Sequence, residues 1–219
     1  MTKRTKSSQR WIERQKRDPY VKKAADRGLA SRAHFKLAQL DTRYALLRPN
    51  MWVLELGAAP GGWTRYLASR LSGGRVIAVD YRPMHVPPGV VFLGLDIYSD
   101  EFTAAVAGAL GERKLDLVLS DMSPNISGVR AADQAAAMGL IDLATDAAMQ
   151  WLKPGGTLVV KMFQGEGVDE WIKAMRYRFE KAQLAKPAAS RAESREVYGI
   201  ATGFTGSDRA AIAVGGRSD

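Results

Sequence analysis

The chain has 219 residues, 46% of them hydrophobic, and a formal net charge of +9, which is length and apolar content enough for one domain with a two-sided core. It contains no cysteine, and His34 and His85 are not at ligand spacing, so a disulfide framework and a thiolate metal site are excluded and no metal is expected. No apolar run approaches the roughly 18 residues a membrane helix requires, and the basic N-terminus is not followed by an apolar signal core; a cytoplasmic protein without a membrane partner is expected.

The charge is unevenly placed. Residues 1–36 carry twelve Lys/Arg against three Asp/Glu, whereas the remaining 183 carry twenty of each. Ten of those cations fall between Lys3 and Arg27, with Trp11 and Tyr20 interleaved, the composition of a segment that neutralises phosphates. A solvated tail and an Arg-rich organelle presequence are the competing readings; Glu13, Asp18 and Asp26 argue against the second. Within this leader Asp18-Pro19 reads as the cap and first-turn pair of a short helix that Gly28 closes.

Ser31 then caps a helix predicted over Arg32 to Leu47. Phe35, Leu37, Leu40, Tyr44 and Leu47 form its apolar face, Lys36 lies outside that spacing, and Pro49-Asn50 ends it. A buried strand over 51–56 breaks into Gly57-Ala58-Ala59-Pro60-Gly61-Gly62 and a helix over 62–71. Such a turn lets backbone N–H groups approach a ligand, and the fresh helix end adds its positive dipole. The spacing is not G-x-G-x-x-G, so no diphosphate cradle is expected. A second strand, 75–79, ends in Asp80, placed to accept hydrogen bonds from two ribose hydroxyls. Together these describe a nucleoside site without a diphosphate, which S-adenosylmethionine fits; the competing reading is a packing turn with Asp80 merely solvated.

Strands and helices keep alternating, with strands predicted at 90–94, 115–120 and 157–162 and helices at 99–110, 131–152 and 168–180. Lys153-Pro154-Gly155-Gly156 reads as a helix stop and turn, and 181–186 and 196–203 as closing strands, one antiparallel near the edge. The fold class is α/β, a mostly parallel sheet with helices on both faces. In such sheets ligands sit beyond the carboxyl ends of the strands. That nominates the loop from Gly57 to Trp63, then Asp80, Asp96, Asp121 and Lys161. Asp96 reads equally as an adenine-amino acceptor and as a loop residue capping the helix after Tyr98. Lys161, closing a buried strand, is either a lysine that snorkels to solvent or a base in a cleft that Asp121 could orient.

Lys36 stands in Ser31-Arg32-Ala33-His34-Phe35-Lys36-Leu37, Asp121 in Ser120-Asp121-Met122-Ser123-Pro124-Asn125, Lys161 in Val160-Lys161-Met162-Phe163-Gln164-Gly165, and Glu196 in Ser194-Arg195-Glu196-Val197-Tyr198. With the loop Gly57 to Trp63, this set resembles the Lys-Asp-Lys-Glu tetrad and cofactor loop of the FtsJ/RrmJ-type (RlmE) ribose 2′-O-methyltransferases, over roughly residues 18 to 204. The resemblance implies a Rossmann-like methyltransferase fold with seven strands, S-adenosylmethionine as cofactor, and methylation of a uridine ribose in the peptidyl-transferase A-loop of large-subunit ribosomal RNA on the assembled subunit. It implies Gly57, Gly61, Trp63, Asp80, Asp96 and Asp121 at the cofactor, and Lys161 as base with Lys36, Asp121 and Glu196 as partners.

On that reading residues 1–30 are an RNA-contacting segment, 31–204 the methyltransferase domain and 205–219 a loose tail, and the protein is expected to act as a monomer. Two departures from the pattern are the net-neutral stretch Arg191 to Glu193 and the tail after Phe204. Alternatives are a cap-type 2′-O-methyltransferase using the same tetrad, a non-catalytic ribosome-assembly RNA-binding factor, and, more distantly, a nicotinamide oxidoreductase, which the broken glycine pattern disfavours. A ribose 2′-hydroxyl is a poor nucleophile, so any such transfer needs alignment with the methyl donor and a group to accept its proton.

Overall fold

The computed structural model describes residues 18–26 and 31–206. The basic residues before Asp18, the Gly28 helix stop and most of the C-terminal tail lie outside them. In chain order the elements are α1 (Pro19–Asp26), α2 (Ala33–Tyr44), β1 (Trp52–Leu56), α3 (Gly62–Arg70), β2 (Arg75–Val79), β3 (Val90–Leu93), α4 (Glu101–Leu110), β4 (Leu115–Ser120), α5 (Arg130–Trp151), β5 (Leu152–Phe163), α6 (Val168–Arg178), β6 (Phe179–Ala185) and β7 (Glu196–Phe204). The seven strands form one sheet in the order β3-β2-β1-β4-β5-β7-β6. β7 alone runs antiparallel to its neighbours, β5 and β6, as expected for the strand near the edge. The order reverses between β1 and β4, which places the switch point of the sheet there.

Alternation along the central strands sorts the core into two layers, as it must when both faces are covered. Leu54, Leu56, Val118, Leu158, Val160 and Met162 pack with α4, α5 and α6. Val53, Leu117, Leu119, Val159, Tyr198 and Ile200 pack with α2 and α3. Glu55, two residues from Val53, therefore points into the second layer.

Two boundaries differ from expectation. α2 ends at Tyr44 rather than Leu47 because Ala45 turns left-handed (φ 49°) and donates its N–H to the Asp41 carbonyl at 2.7 Å. The buried Asp41 side chain also accepts from Leu47 N at 2.9 Å and Tyr66 Oη at 2.8 Å, so the helix is exchanged for side-chain caps before the apolar pattern runs out. The Lys153 to Gly156 turn is absorbed into β5: Leu152 pairs with Leu115 and Thr157 with Leu117, so the extra residues bulge out of the ladder, with Gly155 at φ 80°. At the start of α2 the Ser31 hydroxyl accepts from Ala33 N at 3.2 Å, and the Asp18 carboxylate accepts from Tyr20 N at 3.0 Å, the local cap expected there.

Candidate active site

A cavity of about 560 Å³ opens at the carboxyl ends of β1, β2 and β4, lined among others by Gly57, Asp80, Tyr81, Asp96, Asp121 and Met122. Gly57 holds a left-handed φ of 79°, and a Cβ there would stand 2.7 Å from Met122 Cγ and 3.1 Å from its backbone N. The first strand can therefore turn against the loop after β4 only with glycine at this position. Asp80 is buried, and its carboxylate accepts from Ala59 N at 2.9 Å, from Arg82 N and Nε at 2.9 and 3.1 Å, and from Arg82 Nη2 at 3.0 Å. Burial would raise this carboxyl, but the hydrogen bonds from Arg82 and Ala59 together hold it below the usual carboxylate range. Asp96 accepts from Tyr98 N at 3.0 Å, shaping the turn before α4 while lining the same cavity. Tyr81 and Tyr98, both largely exposed, present aromatic walls to it.

Two residues expected at the cofactor stand apart from the cavity lining. Trp63 is 2% exposed; its indole N–H donates to the Ala33 carbonyl at 2.8 Å, and its ring meets Tyr198 at 5.7 Å between centroids. It locks α3 onto α2. Gly61 takes the N-cap position of α3 with φ 95°, where a Cβ would face Met84 and His85. Both shape the loop from behind.

Lys36, Asp121, Lys161 and Glu196, scattered over 160 positions of sequence, come together as two ion pairs. Lys161 Nζ lies 3.3 Å from Asp121 Oδ1 and donates to the Asp121 carbonyl at 2.5 Å. Lys36 Nζ lies 2.7 and 2.8 Å from the two oxygens of Glu196. Lys36 sits off the apolar stripe of α2, yet it is 9% exposed because it faces Glu196 rather than solvent. The link between the pairs is Tyr198. Its hydroxyl donates to Asp121 Oδ1 at 2.7 Å, its ring lies 5.9 Å below Lys36 Nζ, and burial, with Asp121 and Glu196 nearby, pushes its phenol far up. Tyr198 thus remains a neutral donor. Ser190 completes the frame by donating to Glu196 Oε1 at 2.7 Å.

Sequence reasoning passed over Tyr198, Ser190 and Glu55. For Tyr198 a signal existed: it stands two residues after Glu196 on a strand, hence on the same face. Glu55 was legible as a lone charge in an apolar strand. It is 2% exposed, and its Oε2 has no hydrogen-bond partner. Burial, opposed by hydrogen bonds from Thr64 and reinforced by Asp121 and Asp80, raises its carboxyl to about 8. Ser190 lies in an irregular loop with no periodicity to betray it. Among the described residues no cluster of His, Cys, Asp and Glu could hold a metal, and no helix is long and apolar enough to cross a membrane.

Comparison with known proteins identifies the family and the fold. The family model for FtsJ-like methyltransferases matches residues 29–204. A protein named ribosomal RNA large subunit methyltransferase E from Stutzerimonas stutzeri is 49% identical over 206 residues, covering 93% of this chain and 100% of the relative. Its namesake from Legionella pneumophila strain Corby is 46% identical over 202 residues, with 92% and 98% covered. Among solved structures, a ribosomal RNA methyltransferase from Plasmodium falciparum superposes with a TM-score of 0.74 at 27% identity, covering 81% of this chain and 100% of that one. The fibrillarin/Nop5p complex, at a TM-score of 0.56 and 20% identity over 77% and 81% of the two chains, shares the fold alone. By the span of the family match and the identity of these relatives, the chain belongs to the FtsJ-like methyltransferase family.

Proposed function

We propose that this enzyme transfers a methyl group from S-adenosylmethionine to the 2′-hydroxyl of a uridine ribose in large-subunit ribosomal RNA, in the A-loop of the peptidyl-transferase centre and on the assembled subunit. The observation that carries the proposal is the joining of the Lys161–Asp121 and Lys36–Glu196 pairs through Tyr198, with Asp121 itself lining the strand-end cavity. The large-subunit substrate is what the relatives' names state of them. The proposal carries with it a monomer working in the cytoplasm, with the basic residues ahead of Asp18 as its RNA-contacting arm.

The cavity residues fit the cofactor. Asp80 is a buried carboxylate held ionised at the tip of β2, suited to a diol, which would share it with Arg82. Asp96 can accept from an exocyclic amine, the two tyrosines offer π-faces to a purine, and the Gly57 turn leaves room beside Met122. The cofactor supplies a methyl group made electrophilic by its sulfonium. Lys161 is the group within reach to accept the 2′-hydroxyl proton; its Nζ is aimed by the Asp121 carbonyl and carboxylate, and Tyr198 fixes that carboxylate. Lys36, held by Glu196 and Ser190, offers a second cationic contact for the ribose or its phosphate.

The test is methyl incorporation into undermethylated large subunits, followed by mapping of the modified nucleotide. One ribose methyl on an A-loop uridine is expected. No incorporation, or a methyl on a cap or a base, overturns the proposal.

A further inference from the structure

Arg32, at the N-cap of α2, and Lys36 and Gln39 within it stand four and three residues apart, so they share one stripe of that helix. Lys36 reaches Glu196 from this stripe. Its two neighbours reach the loop between β6 and β7, and both end on Ala189. The Arg32 guanidinium is clasped to the Ala189 carbonyl, and Ala189 N donates to Gln39 Oε1 at 2.8 Å. Ala189 is fully buried, and side chains rather than a neighbouring strand satisfy both of its backbone polar groups.

α1 stands behind both clasps. The other terminal nitrogen of Arg32 is paired with Asp18 Oδ2, and Gln39 Nε2 donates to Tyr20 Oη at 3.3 Å, while the Tyr20 ring meets Phe35 at 5.6 Å between centroids. Arg191 leans on the same Asp18 oxygen at 3.4 Å, and Glu193 lines the hollow beside them. Two carboxylates thus offset two guanidiniums, which suits a brace rather than an anion site. Within the loop, Lys186 Nζ donates to the Ala192 and Ser194 carbonyls at 3.0 and 2.7 Å. What the brace holds is the residue after Ala189: the Ser190 hydroxyl donates to Glu196 Oε1 at 2.7 Å, and Glu196 in turn holds Lys36. The path begins and ends on one stripe of α2.

We propose that Asp18, Arg32 and Gln39 are positioning residues for methyl transfer, which fix Ala189 so that Ser190 orients Glu196 and Glu196 holds the Lys36 ammonium in place; the inference rests on the ribose-methylating reading above. An ammonium on a flexible four-carbon stem is placed only as well as its partner is. A carboxylate free to turn would release it, and a misplacement of about 1 Å near a reacting centre can cost about a hundredfold in rate.

The experiment is single-turnover methyl transfer to undermethylated large subunits by Asp18→Asn, Gln39→Leu, Gln39→Glu and Ser190→Ala, and by the first two combined with Ser190→Ala. Asparagine at position 18 can still cap α1 through Tyr20 N, but it removes the charge that holds Arg32. Glutamate at position 39 keeps the acceptor for Ala189 N, and leucine does not. Asp18→Asn, Gln39→Leu and Ser190→Ala are each expected to slow transfer about tenfold, with Gln39→Glu near the wild-type rate and cofactor affinity by calorimetry unchanged. On the Ser190→Ala background Asp18→Asn and Gln39→Leu should cost almost nothing further, because all three act through Glu196. Losses that multiply to about a hundredfold, a Gln39→Glu enzyme as slow as Gln39→Leu, or Asp18→Asn and Gln39→Leu enzymes as fast as the wild type overturn the inference alone. Absence of any transfer by the wild type overturns the functional reading, and the positioning role with it.

Discussion

Glu55 makes a prediction with a worked slope. The side chain hangs from β1 into the layer beneath α3, and its carboxyl, raised by burial from 4.5 to about 8, is held protonated across the neutral range. In the unfolded chain it ionises above its ordinary value. Between about pH 4.5 and pH 8 the native state thus binds one more proton at this site than the unfolded state does. Folding stability from this group is fully present below pH 4.5 and declines as pH rises through the window, by about 1.4 kcal/mol per pH unit. Glu55→Gln keeps the shape and removes the titration. In urea denaturation at pH 6, 7 and 8, the stability of the variant relative to the wild type should climb with pH, gaining roughly 2–3 kcal/mol over those two units. A difference that stays flat with pH would show that Glu55 is ionised or solvated in the native protein, and would refute the reasoning.

Two further predictions concern the cavity and the leader. Gly57→Ala puts a Cβ 2.7 Å from Met122 Cγ at a φ of 79°; it should cost roughly 2–4 kcal/mol of stability and weaken cofactor binding, read by thermal unfolding and calorimetry, and unchanged values in both would contradict the tight approach. Removing residues 1–17, which carry seven Lys/Arg against one acid, should weaken binding to large-subunit RNA and make the salt dependence shallower by up to about 5 in log–log slope; an unchanged slope would make the arm a spectator.

Much of the fold was legible because alternating strands and helices leave a strong periodic signal, and all seven strands lie where the sequence put them, give or take their ends. The boundaries that moved did so for tertiary reasons. Asp41 stops α2 early with caps that no local pattern shows, and the Pro154-Gly155-Gly156 turn survives as a bulge because β4 pairs on both sides of it. At the site, residues at strand ends were readable from the switch-point rule. Lys36 and Glu196 were not, since neither follows a parallel strand, and they were identified only through the ordered set. Trp63 was placed at the cofactor through the resemblance; here its indole packs on Ala33 and Tyr198.

The central claim is that Lys161, aimed by Asp121, takes the proton from a ribose 2′-hydroxyl. The most direct measurement is single-turnover methyl transfer to undermethylated large subunits by Lys161→Ala, paired with cofactor affinity from calorimetry on the same preparation. A loss of transfer of about a hundredfold or more with near wild-type cofactor affinity is the predicted result. Appreciable transfer by the alanine variant would contradict it.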